Sequence, residues 1–442
     1  MELNPVKILD TFKIPATGFL LVAFGVLLWI LYAQIPVYVS PALKVILFFM
    51  PILVPIILAK VFWNLWLEYI RAKFIHAQEY TLLEIRLPRE ILRSPLAMDT
   101  LLTNLHIGPG EGTFINRYIE GKVRPWFSLE MVSLGGQIHF YIWTRKALKN
   151  LVEAQIYGQY PMVEVHEVDD YAQKVQYRPG QMSVWGCDFK LSKPDPYPIK
   201  TYIDYGLDKD PKEEFKIDPM GGFFEFLASV GPGEQIWLQL MIRVNKDDLK
   251  ENRKFVYKGG LTGSTTSWKE EAAEEIKKIV KEATIKTVDQ KNPTTLNLSK
   301  GQQDVVAALE RSISKYGFDA GIRGIYIAEK DKFNAVNISA LTASLKQLGS
   351  LNLNGFVPTR WFTQFDYPWQ DWRGKKQEKM RSAIIEAYKR RSWFHPPFKT
   401  PSFVLNTEEV ATIFHFPGAV VQAPTLGRIP STKGEAPPNL PV

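Results

Sequence analysis

The sequence predicts an α+β protein with a membrane-spanning helical hairpin at its N-terminus and α/β sandwich units after it. Three observations predict this class. Residues 1–75 contain two long apolar segments, residues 80–171 follow the pattern strand, helix, strand, strand, helix, strand, and residues 175–356 hold a second series of strands and helices. The first series has the order of a ferredoxin-like unit, an antiparallel sheet covered by two helices.

Five segments follow from these patterns and from composition. They are a transmembrane hairpin (1–75), a ferredoxin-like domain (78–172), a second α/β domain with a helical insertion (175–356), an aromatic and basic helical segment (357–417) and a Pro-rich extended tail (418–442). The formal net charge of +8 is compatible with nucleic acid or an anionic membrane as a partner and requires neither. Cys187 is the single cysteine, which excludes an internal disulfide and fits a reducing compartment.

Two apolar segments predict the membrane hairpin. Residues 16–33 are uncharged, and as a helix they would span roughly 27 Å, about one hydrocarbon core. Residues 44–66 form the second segment, which Pro51 and Pro55 interrupt, so a re-entrant segment stays open as an alternative. A cleaved signal peptide is disfavoured because the first segment is long and no A-x-A-like site follows it.

The flanking charges predict the orientation. Lys7 and Lys13 precede the first segment, and Arg71 and Lys73 follow the second. Because positive residues stay on the cytoplasmic side, we expect a multi-pass protein of the inner or plasma membrane with both termini in the cytoplasm.

The remaining elements follow from periodicity and turn residues. Ser94 and Pro95 predict a helix start, Gly135 and Gly136 a hairpin turn, and Asn406 the cap of a last short helix. Strands are predicted at 81–87, 163–168, 183–191, 199–205, 235–244 and 321–328. Helices are predicted at 145–160, 219–230, 268–284, 300–316, 338–348 and 376–391. The residues from 354 to the start of the helix at 376 are predicted to be mostly irregular.

A search for chemical motifs predicts no catalytic residue, no cofactor site and no metal site. The glycine-rich residues 260–266 lack the lysine that a phosphate-binding loop needs. His166 lies among carboxylates but has no second histidine close in sequence, and a solvated strand face is the preferred interpretation. The sequence therefore predicts a protein that is not an enzyme.

One basic and aromatic segment is a candidate nucleic-acid contact. Such residues can bind phosphates and stack on bases, or bind anionic lipid, or form a solvated helix face whose tryptophans are buried. The last interpretation is preferred, and the other two stay open. The candidate nucleic-acid contacts are Arg373, Lys375, Lys376, Lys379, Lys389, Arg390 and Arg391.

Two stretches resemble a known family. Residues 122–171 (KVRPWFSLEMVSLGGQIHFYIWTRKALKNLVEAQIYGQYPMVEVHEVDDY) are similar to the N-terminal region of membrane-anchored proteins of candidate-phyla bacteria. In many of those proteins a RecA-like ATPase of the type IV secretion coupling-protein kind (TraG/TraD- and HerA-like) follows. Residues 405–442 resemble the junction that leads into that ATPase. The family's Walker motifs would lie beyond Val442, so no catalytic residue is carried over.

The resemblance implies a non-enzymatic, membrane-anchored cytosolic scaffold of a type IV secretion-like or conjugative DNA-transfer apparatus that docks a separate ATPase. The partners it implies are the membrane, the ATPase or other secretion subunits, DNA, and further copies of the chain. Two alternatives remain: a membrane-tethered DNA-binding protein that uses the basic segment 373–399, and an enzyme with an unrecognised site.

Overall fold

In this computed structural model, the structure describes residues 26, 36–88, 93–108, 111, 113–208, 218–246, 248, 267–288, 298–360 and 371–417. The chain divides into two compact units. The N-terminal unit comprises Met1–Arg71 and Gln364–Lys375, and the sheet unit comprises Ala72–Thr363 and Lys376–Val442. The predicted apolar segment 16–33, apart from residue 26, and the predicted tail after residue 417 lie outside the described residues.

The described helices and strands alternate along most of the chain. The helices are α1 (Pro36–His76), α2 (Pro95–Asn104), α3 (Phe114–Tyr118), α4 (Lys149–Gln159), α5 (Tyr171–Lys174), α6 (Gly221–Ala228), α7 (Trp268–Val288), α8 (Lys300–Ile313), α9 (Ala335–Ala343), α10 (Lys375–Lys389) and α11 (Thr407–Ile413). The strands are β1 (Tyr80–Arg86), β2 (Trp126–Leu134), β3 (Gln137–Arg145), β4 (Glu164–Val168), β5 (Met182–Leu191), β6 (Glu234–Val244), β7 (Gly317–Glu329), β8 (Phe356–Arg360) and β9 (Phe403–Asn406).

Helix α1 has 41 residues and continues through both Pro51 and Pro55. Its part Phe48–His76 is long and apolar enough to cross a membrane, judged by length and composition. Its apolar side chains between Phe48 and Trp66 are exposed, for example Phe48 and Phe62 at 75% and 66%. The described residues therefore contain one candidate membrane-spanning helix. They do not support the predicted two-helix, multi-pass hairpin, whose first segment falls outside them.

The nine strands form one antiparallel sheet in the order β4-β1-β3-β2-β6-β7-β5-β8, with β9 paired to β7. The strands of the first half lie in the order β4-β1-β3-β2, and those of the second in the order β8-β5-β7-β6, the same arrangement four strands later. The halves meet where β2 pairs with β6, and the centre of that pairing is Glu130 opposite Gln239. The predicted α+β class is confirmed at this level.

Both faces of the sheet are buried. Alternate residues of a strand point to opposite sides, and the residues on each side belong to a buried hydrophobic cluster of their own. On the first face, Leu83 and Phe140 belong to a cluster with residues of α2, α4, α6, α9 and α11. On the second face, Leu82 and Trp237 belong to a cluster with residues of α5 and α10. The second face thus depends on the segment that the sequence marks as basic and aromatic.

Most predicted elements are confirmed to within a few residues, but one predicted strand is not formed and two strands were missed. The strand predicted at 199–205 is not formed, and residues 202–208 are turns, because the side chain of Asp204 accepts a hydrogen bond from the Thr201 amide at 2.8 Å and closes a local turn. Strand β8 was missed within the region predicted to be irregular, and β9 was missed between two predicted helices, because each strand is short and pairs only with a strand distant in sequence.

Candidate functional site

The seven predicted nucleic-acid contacts do not share one environment. Arg373, Lys375, Lys376, Lys379 and Arg390 are exposed, Lys389 is half-buried, and Arg391 is buried. Arg373 and Lys375 belong to the N-terminal unit, while the other five belong to the sheet unit. The structure therefore shows that Arg391 is buried while the other six residues are at least partly exposed, a difference that the sequence pattern does not reveal.

Arg391 is an internal residue, which corrects its prediction as a surface contact. It follows the end of α10 with a φ of 47°, the left-handed conformation in which helices commonly end. Its Nε and Nη2 atoms donate hydrogen bonds to the two carboxylate oxygens of Glu130 at 3.0 and 3.2 Å. The guanidinium also donates to both oxygens of Asp170. Its donors are therefore used inside the protein.

Glu130 is the centre of a buried polar network at the middle of the sheet. Besides the guanidinium, its oxygens accept hydrogen bonds from Ser128 at 2.7 Å, Gln239 at 3.1 Å and Tyr171 at 2.8 Å. The Tyr171 and Tyr388 hydroxyls lie 2.7 Å apart, and burial raises the pKa of each well above its ordinary value. A buried carboxylate is tolerated only when paired and hydrogen-bonded, and this network meets that condition.

The chain that follows α10 is seated closely on the sheet. Trp393 is buried against Gly321, where a Cβ atom would lie 2.0 Å from the indole Cε2 atom. The guanidinium of Arg323 lies 5.1 Å from the centre of the Trp393 ring and pairs with Asp188 at 2.8 Å. The predicted burial of tryptophans is thus confirmed for Trp393, while the side chains of Trp361, Trp369 and Trp372 lie outside the description.

The solvent side of α10 keeps a basic surface. Lys376 and Lys379 are exposed there, and Arg390 forms an exposed ion pair with Glu386 one helical turn earlier. Exposed pairs of this kind contribute little to stability and can open to a ligand. This surface could bind an anionic partner, whereas Arg391 could not.

A cleft of about 630 Å³ opens beside the buried network, and Glu84, Tyr141, Tyr171 and Lys174 are among its lining residues. A hydrogen bond of 2.8 Å joins the Nδ1 atom of His139 to a carboxylate oxygen of Glu84, and this bond lowers the pKa of Glu84. Sequence reasoning missed this pair because its members are 55 residues apart on neighbouring strands. Among the described residues no group of three or more His, Cys, Asp or Glu side chains is placed to hold a metal ion.

The fold and the network define an α+β protein in which the described strands form one antiparallel sheet, covered on both faces, that follows an exposed apolar helix in the sequence. A family model described as "Domain of unknown function (DUF8128)" matches residues 75–427, and the chain belongs to that family. No curated protein matches the chain significantly. The family match begins inside the last turn of α1, close to the boundary between the two units.

Proposed function

We propose that the protein is a non-enzymatic, membrane-anchored scaffold of a type IV secretion-like or conjugative DNA-transfer apparatus, which docks a separate ATPase on its cytosolic part. Helix α1 is the observation that carries the anchoring. Exposed phenylalanine, isoleucine and leucine side chains along a helix of this length are costly in water and favourable in a bilayer. The apparatus itself is inferred from the resemblance of residues 122–171 and 405–442 alone.

The arrangement of the sheet supports a scaffold built from two ferredoxin-like units. Each half has the order of that unit, and the second carries the helices α7 and α8 between β6 and β7, in agreement with an inserted helical segment. The central charged residues are used in pairs that hold elements together, such as Arg391 with Glu130. Such residues stabilise a platform on which a partner can assemble.

Membrane extraction tests the anchor. The full chain should stay in the membrane pellet through an alkaline carbonate wash and require detergent for release. Replacing Leu53 and Ile57 by Glu should release it, because each carboxylate in a bilayer centre costs about 2.5–3.5 kcal/mol. The matched control is Val336→Glu, at an exposed apolar position of the sheet unit, which should leave the protein in the pellet. Release of the unaltered chain by carbonate would contradict the anchor.

An activity measurement tests the scaffold part of the proposal. The detergent-purified full chain should not hydrolyse ATP, and a RecA-like ATPase from the same cells should co-elute with it when the two are expressed together. ATP turnover that follows the chain through purification would contradict the proposal. Failure of the ATPase to co-elute would contradict the docking role and leave the anchor unaffected.

The exposed face of α10 favours a second candidate, a membrane-tethered DNA-binding protein. Binding should weaken as salt rises, because phosphate contacts release counterions. Changing Lys376, Lys379 and Arg390 to Ala should reduce affinity, and Arg391 is left unchanged because its side chain is buried. The matched control replaces three exposed lysines elsewhere, Lys300, Lys330 and Lys346. Equal affinities of the two triple variants would contradict this candidate.

A further inference from the structure

A row of polar side chains runs across the second face of the sheet at a single register. Each member lies directly opposite the next one on the neighbouring strand. From β1 to β5 the members are Glu84, Tyr141, Glu130, Gln239, Arg323 and Asp188. Because Glu130 and Gln239 lie where the two halves of the sheet meet, the remaining members occupy equivalent places in the two halves.

One of these places holds an arginine in the second half and a tyrosine in the first. Glu84 on β1 corresponds to Asp188 on β5, and Tyr141 on β3 corresponds to Arg323 on β7. In the second half the Arg323 Nε atom donates to the Asp188 carboxylate at 2.8 Å, and both residues are buried. A tyrosine carries no positive charge, so the first half lacks the guanidinium that neutralises the acid of the second.

The Tyr141 hydroxyl has no hydrogen-bond partner within the described part of the chain, although the residue is only 4% exposed. Its ring is stacked against His139 and Tyr171, with centroids 5.8 and 4.7 Å away. Burial, and then the charges of Glu84 and Glu130, raise the pKa of the hydroxyl, so it stays neutral in a negative potential. Buried hydroxyls are normally satisfied, and this one is open to a donor from a ligand.

The cleft of about 630 Å³ gives a ligand access to this place, since both Glu84 and Tyr141 line it. Leu134, Val168 and Val175 supply apolar surface in the same lining. A concave site of this size, with apolar walls and a few polar groups, is typical of small-ligand sites.

Carboxylates outnumber cationic groups in the lining. The charged lining residues are Glu84, Glu167, Asp169 and Lys174. Glu167 is paired with Lys149 at 2.5 Å. Glu84 accepts from His139 on one oxygen and from Arg86, whose side chain is 53% exposed, on the other. An exposed pair of this kind is weak, and each carboxylate oxygen can accept a further hydrogen bond.

We propose that the cleft binds a ligand that carries a guanidinium group, which donates to the Glu84 carboxylate and to the Tyr141 hydroxyl. The group then takes the place in the first half that the Arg323 side chain takes in the second. A guanidinium suits both acceptors because its N–H donors are fixed in one plane and point in different directions. The site is independent of the membrane anchor and of a docked ATPase.

Isothermal titration calorimetry of the full chain in detergent tests the site with three probes. Agmatine represents a free small molecule, N-acetylarginine amide represents the side chain of a peptide, and N-acetylcitrulline amide is the uncharged control of the same shape. The two guanidinium probes should bind, more weakly as salt rises, and the control should not. Tighter binding of agmatine indicates a small-molecule ligand, and tighter binding of the arginine amide indicates a peptide. Equal binding of the citrulline control, or no guanidinium binding tighter than about 1 mM, overturns the proposal.

Four variants locate the bound group. Tyr141→Phe keeps the stacked ring and should lower affinity about fivefold without loss of thermal stability, and Glu84→Gln should lower it about tenfold or more. Lys174→Ala removes the cation of the lining and should raise affinity. The matched control is Glu164→Gln, an exposed carboxylate of β4 outside the lining, which should bind as the unaltered chain does. Unchanged affinity in Tyr141→Phe, or equal losses in Glu84→Gln and Glu164→Gln, overturns the site.

Discussion

The guanidinium of Arg391 and the carboxylate of Glu130 form a two-pronged ion pair with both side chains excluded from solvent, at Nε–Oε1 and Nη2–Oε2 distances of 3.0 and 3.2 Å. Arg391 lies just beyond α10, and Glu130 lies at the centre of the β2–β6 pairing where the two halves of the sheet meet. The pair therefore joins the covering segment of the second face to the middle of the sheet.

Replacing Arg391 by Met should destabilise the sheet unit by about 3–5 kcal/mol, because Glu130 is left as an uncompensated buried charge. Denaturant unfolding of the full chain in detergent measures the change. Arg390→Met is the matched control, since the neighbouring arginine is exposed, and it should change stability by less than about 0.5 kcal/mol. Adding Glu130→Gln to Arg391→Met should recover part of the loss, and strictly additive effects would show that the two residues are not coupled.

Replacing Gly321 by Ala should displace Trp393, because the added Cβ would lie 2.0 Å from its ring. Overpacking of this kind costs about 1–3 kcal/mol. Gly158→Ala is the matched control: it lies in α4 with no atom within 4 Å of an added Cβ, so the same substitution should stabilise by about 0.5–1 kcal/mol. Thermal unfolding of the two variants should therefore shift in opposite directions, and equal shifts would mean that Trp393 does not press on the strand.

The sequence predicted the turns, helix caps and strands whose signals lie within a few neighbouring residues. The Gly135–Gly136 turn, with φ of 60° and 92°, and the caps at Ser94 and Asn406 were found because their residue types are required by backbone geometry. Strands were found where apolar alternation is long. The order of the strands in the sheet could be predicted only by analogy with the ferredoxin-like unit. The pairing of β2 with β6, for example, joins residues more than a hundred positions apart.

The buried network could not be predicted, because charge patterns in a single sequence do not reveal burial. Lys389, Arg390 and Arg391 look alike as a basic run, and only the left-handed turn at Arg391 directs one of them inward. Its acceptors Glu130 and Asp170 lie in separate elements far from it in sequence. A positive φ that ends a helix at a non-glycine residue is a signal visible only in coordinates.

Raising the pH should weaken the sheet unit through Glu409. Burial raises the pKa of this carboxyl from 4.5 to about 8, although the amides of Asn406 and Ile199 donate to it. Between these values the folded state holds a proton that the unfolded state has lost, so the free energy of unfolding falls as pH rises. The fall amounts to a few kcal/mol, since one unit of pKa shift is worth about 1.4 kcal/mol.

Comparing the pH dependence of two glutamine variants isolates this residue. Glu409→Gln should flatten the fall in stability between pH 4.5 and 8, while Glu386→Gln, at the ion pair on the surface of α10, should leave the curve parallel to that of the unaltered chain. Asp195, Glu408 and His415 also titrate in all three proteins, and because the charges of Asp195 and Glu408 raise the pKa of Glu409, the flattening includes the response of these two carboxyls to the lost Glu409 charge. If the stability curve of Glu409→Gln ran parallel to that of the unaltered chain, the proton responsible for the fall in stability would be bound by another residue.

Two helices begin with the same reciprocal cap, one buried and one exposed. In α11 the Asn406 side chain accepts from the Glu409 amide at 2.8 Å, and in α8 the Ser299 side chain accepts from the Gln302 amide at 3.3 Å. Loss of such a cap costs about 0.5–2 kcal/mol. Asn406→Ala should reach or exceed the upper value, because Asn406 is 2% exposed and water cannot replace its bonds to the Glu409 amide and the Ser312 hydroxyl. Ser299→Ala should stay near the lower value because water reaches that cap, and equal losses in denaturant unfolding would show that burial of the cap does not matter.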